Sequence, residues 1–168
     1  ITYVSRLRSA LGDGPVRTTD AGYVFDPTGL SIDADRFGAL LAHARTLPPE
    51  RAVEVFDEAL ALWRGPVFGD LAEEWWARPL TKKLEELRLS ALAERVDALS
   101  AVTWNGRAIA EATSLVDAHP LREQFVERAM RGLHALGRTA DALRTYQTYR
   151  SVLADQTGLD PSPALTTL

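Results

Sequence analysis

The sequence predicts a mainly α-helical chain: a bundle of paired helices preceded by one short helix and a β-hairpin. Three observations predict it. Apolar residues recur at helical spacings over most of the chain after position 33, with Gly and Pro punctuating the runs. After Pro79 no Gly or Pro occurs until Gly106, so a single long helix fits residues 79–102. β-rich runs are confined to residues 15–19 and 23–25 and are joined by the turn residues Asp20-Ala21-Gly22.

Residues 1–11 carry Ile1, Val4, Leu7 and Leu11 on one helical face, with Thr2, Ser5, Arg6, Arg8 and Ser9 off it. Gly12 stops that helix in the usual C-terminal position. A helix followed by a small hairpin is the terminal part of a winged helix, in which the helix enters the DNA major groove and the wing touches the backbone beside it. A plain helix–hairpin without that role remains the alternative on spacing alone. Asp26-Pro27-Thr28-Gly29 is a turn and sets the expected domain boundary, with residues 1–27 before it and 28–168 after it.

Beyond the turn, Asp33 caps a helix expected to reach Thr46 and to bury Phe37, Leu40 and Leu41. Pro48-Pro49 opens the next, with Val53, Phe56, Leu60 and Trp63 on one face and Gly65-Pro66 ending it. Trp63 is therefore expected to be buried over the helix end. A short helical piece carries Trp75 and Trp76 into the long helix. There Leu80, Leu84, Leu87 and Ala91 form one stripe and Leu89, Leu92, Val96, Leu99 and Val102 a second. Two stripes mark a helix touched from two sides, with Leu84 and Leu87 expected in the core and Lys82, Lys83, Glu85, Glu86, Arg88, Glu94 and Arg95 keeping the rest wet.

Three more helices follow, punctuated by Asn105-Gly106, His119-Pro120 and Gly137. Ala108 and Ala142 are 34 residues apart, as are Ala112 and Tyr146, which is the tetratricopeptide period. Ala52, Phe56 and Ala59 repeat the small–aromatic–small spacing of the second helix of such a unit. The first-helix Trp and Gly landmarks are missing, so the expected fold is tetratricopeptide-like, with a generic helical bundle as the alternative.

With 168 residues, the chain can build one sizeable core or two small ones. It is 46% hydrophobic and 25% charged, and its net charge of -4 excludes a global basic field for nucleic acid. The absence of cysteine excludes disulfides and thiolate metal sites. No apolar run approaches a membrane span and no signal-peptide pattern is read, so a cytoplasmic protein with no membrane partner is expected. The chain opens on Ile1 rather than Met, and a fragment of a longer protein is expected.

Catalytic patterns are sparse. His43, His119 and His134 lack the i, i+4 spacing of a zinc helix, and no Gly-x-Ser-x-Gly elbow or phosphate-binding loop occurs. Glu73-Glu74 and Glu85-Glu86 are adjacent pairs whose side chains diverge on a helix. The expectation is a non-enzyme with no cofactor and no metal. The four tryptophans are read as core or interface, with a ligand pocket as the lesser alternative.

Several stretches resemble a known family. Tyr3-Val4-Ser5-Arg6-Leu7-Arg8, Leu11-Gly12 and Gly22-Tyr23-Val24 are similar to the end of an OmpR-type winged helix. Asp33-Ala34-Asp35-Arg36-Phe37, Ala59-Leu60-Ala61-Leu62-Trp63-Arg64-Gly65-Pro66 and Thr157-Gly158-Leu159-Asp160-Pro161-Ser162-Pro163 resemble the bacterial transcriptional activation domain. Together they resemble the AfsR/SARP-type regulators of actinobacteria, a group that includes EmbR-like proteins. The resemblance implies a transcriptional activator that binds direct repeats in promoters and contacts RNA polymerase, with its helical domain as a regulatory platform. It also implies that Thr2, Ser5, Arg6 and Arg8 lie on the recognition helix, and that Arg17, Thr18 and Thr19 lie on the wing and suit phosphate contacts. Promoter DNA, RNA polymerase and a second copy of the chain are the expected partners. The family's opening strands and first two helices are not seen before Ile1. A tetratricopeptide-type scaffold without DNA binding is the competing function.

Overall fold

The computed structural model describes residues 2–12, 14–102 and 106–168. Ile1, and the punctuating Asn105 with Trp104, lie outside them. The described residues fall into two compact units, residues 1–38 and 39–168.

In the first unit, α1 (Thr2–Leu11) is followed by β1 (Val16–Thr19) and β2 (Gly22–Phe25). The strands pair antiparallel with Val16 opposite Phe25 and Thr19 opposite Gly22, so Asp20 and Ala21 alone form the loop. Gly22 enters the ladder at φ 131°, a region open to glycine. The ladder is extended where Asp26 donates its N–H to the Pro15 carbonyl at 2.7 Å. Val16 is buried, while Leu7, Leu11, Tyr23, Val24 and Phe25 are exposed. The helix α2 (Asp33–Ala44) begins with the Asp33 carboxylate accepting from the Ala34 N–H at 2.9 Å. It buries Phe37, Leu41 and Ala44, leaving Leu40 only half-buried and ending two residues before Thr46.

The second unit continues with α3 (Pro49–Leu60), α4 (Arg78–Val102), α5 (Gly106–Ala118), α6 (Glu123–Ala135), α7 (Thr139–Thr157) and the short α8 (Pro163–Thr166). Pro49 sits in the first turn of α3, where its missing N–H costs nothing. Helix α3 ends at Leu60, three residues earlier than its apolar face suggests. Ala52, Phe56 and Ala59 are the buried face, and Val53 and Leu60 are half-buried. Trp63 therefore lies past the helix end and is half-buried rather than buried; its ring carries the Arg88 guanidinium 4.8 Å from the centroid. The link to α4 holds one 3₁₀ turn, Gly69–Leu71, and Trp75 and Trp76 are exposed in non-helical chain.

The long helix is present; its second expected stripe reaches the core through Leu89 and Val96, and of the first only Ala91 is fully buried. Leu89, Ala93 and Val96 pack with Ala112, Leu115, Phe125 and Ala129, whereas Leu84 and Leu87 are only half-buried. The physical reason is the partner. Helices α5 and α6 meet the middle of α4, on the side of Leu89 and Val96. Arg95, expected in water, is 8% exposed and carries its charge into the interior. A second cluster joins Ile109, Val126, Met130 and Leu133 to Ala142, Tyr149, Leu153 and Leu165. Helix α6 feeds both clusters, Phe125 and Ala129 into one and Val126, Met130 and Leu133 into the other, so it shares the organising role with α4.

The helix ends follow local chemistry. Gly158 closes α7 at φ 72°, where its N–H reaches the Ala154 carbonyl at 2.9 Å. Ser162 caps α8, accepting from the Leu165 N–H at 3.2 Å. The turn between them is pinned by Glu123 of α6, whose carboxylate accepts the Ser162 N–H at 2.9 Å, the Ser162 hydroxyl, and the Tyr149 hydroxyl at 3.3 Å. The expected tetratricopeptide period has its alanines inside: Ala108, Ala112 and Ala142 are buried, letting neighbouring helices approach closely.

Candidate nucleic-acid interface

Helix α1 and the hairpin carry all of the residues singled out for DNA. Thr2, Ser5, Arg6 and Ser9 are spaced by three and four and so share one helix face. Ser5 and Arg6 are exposed there; Thr2 begins the helix, and its side chain lies outside the described residues. Arg8 points elsewhere. Its Nε donates to the Val16 carbonyl at 2.9 Å and an Nη donates to the Thr18 hydroxyl at 2.8 Å. The guanidinium also lies 6.0 Å from the Tyr23 ring centroid. Arg8 and Thr18 are thus brought together, and the arginine braces the wing against the helix. Spacing held a signal for this: Arg8 lies four residues after Val4, at the border of the apolar face rather than opposite it.

Arg17 reaches across the strand ends to Asp26, Nη to Oδ2 at 2.6 Å. The same carboxylate accepts the Thr28 N–H at 3.0 Å. Hydrogen bonding from Thr28, with the Arg17 charge a smaller influence, holds the Asp26 carboxyl below its ordinary range. Thr19 donates its hydroxyl to the Gly22 carbonyl at 3.3 Å, inside the turn. Asp26 is the functional neighbour that sequence reading missed; it follows the hairpin directly, and only the strand register shows that it meets Arg17. Arg6, Arg8 and Arg17 are matched over residues 1–27 by Asp13, Asp20 and Asp26, so any attraction for phosphate is local.

The helical unit offers a groove of about 630 Å³ between α4, α6 and α7, bordered by Asp97, Glu127, Arg128, Arg131 and His134. Its charges are already engaged. Arg128 pairs with Asp97 at 2.5 Å and donates to the Ala93 and Gln124 carbonyls, and Arg131 pairs with Glu127. Among the described residues no three His, Asp or Glu side chains gather as a metal would require. No described helix is long and apolar enough to cross a membrane. Of the tryptophans, Trp63 stacks under Arg88, Trp75 and Trp76 are exposed, and Trp104 lies outside the described residues.

The bacterial transcriptional activator domain model matches residues 32–168. The transcriptional regulator RedD of Streptomyces coelicolor is 37% identical over 155 residues, which is 90% of this chain and 44% of RedD. The regulatory protein AfsR of Streptomyces griseus is 33% identical over 171 residues, 99% of this chain and 18% of AfsR. The solved structure of Mycobacterium tuberculosis EmbR in complex with a low-affinity phosphopeptide superposes with a TM-score of 0.86 at 28% identity, covering 99% of this chain and 46% of EmbR. The chain therefore spans less than half the length of each of these relatives.

Proposed function

Because the chain belongs to the bacterial transcriptional activator domain family, we propose that it is part of a DNA-binding transcriptional activator. Residues 1–27 are the end of the recognition helix and the wing, and residues 28–168 are the platform that engages RNA polymerase and a second copy of the chain. A bacterial regulator of this kind works in the cytoplasm. The observation that carries the reading is the order of parts: a helix with an exposed Ser5–Arg6 face and a braced hairpin, followed directly by the activator domain. Thr2, Ser5 and Arg6 read base edges, Arg8 sets the wing while its helix lies in the groove, and Arg17, Thr18 and Thr19 approach phosphates.

One observation favours a second reading, a protein-interaction scaffold without DNA binding: Arg8 and Arg17 already have intramolecular partners. The two readings separate in a selection of duplexes from a random-sequence pool, using a longer regulator that contains this chain, at about 150 mM salt. Enrichment of a repeated motif, with affinity falling steeply as salt rises, supports the activator. Recovery of an unenriched pool supports the scaffold. The 168-residue chain alone is expected to bind weakly or not at all, given its net charge of -4.

A further inference from the structure

The segment between α3 and α4 leaves aromatic side chains in water. Trp75 is 82% exposed and Trp76 48%, and Phe68 and Leu71 are exposed close by in the chain. Single apolar residues on a surface need no explanation, but aromatic residues gathered on one short stretch mark a contact surface. The stretch is built rather than loose. Successive turns close it: the Leu71 N–H donates to the Phe68 carbonyl at 3.0 Å, Glu74 to Leu71 at 3.1 Å and Ala77 to Glu74 at 2.9 Å. Phe68 sits at φ 58°, a conformation costly for a bulky side chain. Its ring meets Trp76 edge-on, with centroids 5.7 Å apart and planes at 64°. An aromatic pair fixed in advance loses little entropy when a partner docks.

Carboxylates are threaded through the same stretch. Residues 68–77 hold Asp70, Glu73 and Glu74 and no cation. Arg78, the next residue, is committed to Glu73: its Nε donates to the Glu73 carbonyl at 2.8 Å, and an Nη lies 3.3 Å from the Glu73 carboxylate. Asp70 and Glu74 are exposed, and no cation pairs with either among the described residues. Interleaved acids and aromatic rings repel phosphate and acidic surfaces and suit a group that satisfies both kinds of neighbour. The arginine guanidinium is that group, because its face stacks on an indole while its N–H edge donates to carboxylates. The chain makes the stacking half of this contact itself at Trp63, where the Arg88 guanidinium lies 4.8 Å from the ring centroid. Trp75 and Trp76 carry no such cation among the described residues.

We propose that this stretch is a docking surface for a partner protein that offers arginine side chains set among apolar ones. The arginines stack on Trp75 and Trp76 and pair with Asp70 and Glu74, and the apolar residues cover Phe68 and Leu71. The inference goes beyond the activator reading and holds under the scaffold reading too, because it concerns residues 68–78 and none of the residues assigned to DNA.

Titration of the 168-residue chain with a short peptide of leucine and arginine tests it, read from the indole N–H signals of Trp75 and Trp76 in nuclear magnetic resonance. Versions with lysine or glutamate in place of arginine are the comparison. The arginine peptide is expected to shift both signals and to bind several-fold tighter than the lysine version, because an ammonium lacks the flat face that stacks on a ring. The glutamate version is expected to leave both signals in place. Trp75→Ala should raise the dissociation constant by at least about tenfold, as loss of an aromatic anchor does. Asp70→Asn with Glu74→Gln should weaken binding and flatten its dependence on salt. All three positions are exposed, so circular dichroism should show unchanged helix content in each variant. Indole signals that ignore the arginine peptide, an equal response to the glutamate version, or an affinity untouched by Trp75→Ala overturns the proposal. Indole signals that move with protein concentration alone overturn it as well, since a second copy would then cover the stretch.

Discussion

The Nε of Arg95 lies 2.5 Å from Oδ1 of Asp57, and the other arm of the same guanidinium pairs with Glu111. One side chain on α4 thereby ties α3 to α5. Burial opposes the arginine's charge, but the hydrogen bonds it donates to the two carboxylates outweigh it and hold its pKa above the ordinary value. Removing the arginine leaves two carboxylates facing each other at the edge of the core. Arg95→Ala should destabilise by about 2–3 kcal/mol, below the range for a fully enclosed pair because Asp57 is half exposed. Urea unfolding against Arg51→Ala is the check. Arg51 pairs with Glu54 at the surface, with both side chains mostly in water, and its loss should leave the midpoint nearly unchanged.

Leu89 and Leu84 sit on the same helix but in different surroundings. Leu89 is 7% exposed within the cluster of Val96, Leu115 and Phe125, and Leu84 is half-buried. Leu89→Ala should cost about 2–4 kcal/mol and Leu84→Ala clearly less, read as a shift in denaturant midpoint at unchanged slope. Equal midpoints would contradict the packing described for α4.

The Tyr149 hydroxyl is pushed up to about 12 by burial and, secondarily, by the negative charge of Glu123. A phenol whose folded pKa is raised holds its proton in the native state after the unfolded chain has released it. Its contribution to stability is complete below pH 10 and is lost as pH rises from 10 towards 12. The stability difference between the parent and Tyr149→Phe should therefore shrink over that window. In the phenolate absorbance titration of the folded protein, the latest-titrating component should vanish in Tyr149→Phe.

Arg6 and Arg8 should respond differently. In a regulator that binds its promoter, Arg6→Ala removes an exposed side chain and should weaken cognate binding by about 1–3 kcal/mol if it reads a base. Arg8→Ala removes the two hydrogen bonds that join α1 to the hairpin, so it should also speed amide exchange in residues 16–25. Mobility shift with amide exchange on the same samples distinguishes them; two variants with unchanged exchange and unchanged affinity would remove this segment as a recognition element.

Periodicity and punctuation were enough to place α1 to α7. Apolar spacing, the prolines at 49 and 79 and the glycines at 137 and 158 are local signals, and each acts within a turn of the chain it organises. The 34-residue spacing of Ala108 and Ala142 likewise marks where helices approach, since a small residue is required wherever two backbones come close. The short α8 escaped notice, because four residues are too few for a period and its cap, Ser162, is fixed by the distant Glu123.

How deeply each of the two stripes on α4 is buried depends on where the other helices arrive, and that is decided by side chains in those helices. Spacing offered both stripes alike, and tertiary packing buried Leu89 and Val96 while leaving Leu84 and Leu87 half-buried. Arg95 reads as a solvated charge until Asp57 and Glu111, 38 and 16 residues away in sequence, are brought against it. The same holds at the candidate DNA face. The sequence determined that Arg6, Arg8 and Arg17 lie on a helix and a hairpin. Only the folded unit decided that Arg8 turns inward to Thr18 and Arg17 crosses to Asp26, because a long flexible cation takes the nearest acceptor that the tertiary structure supplies.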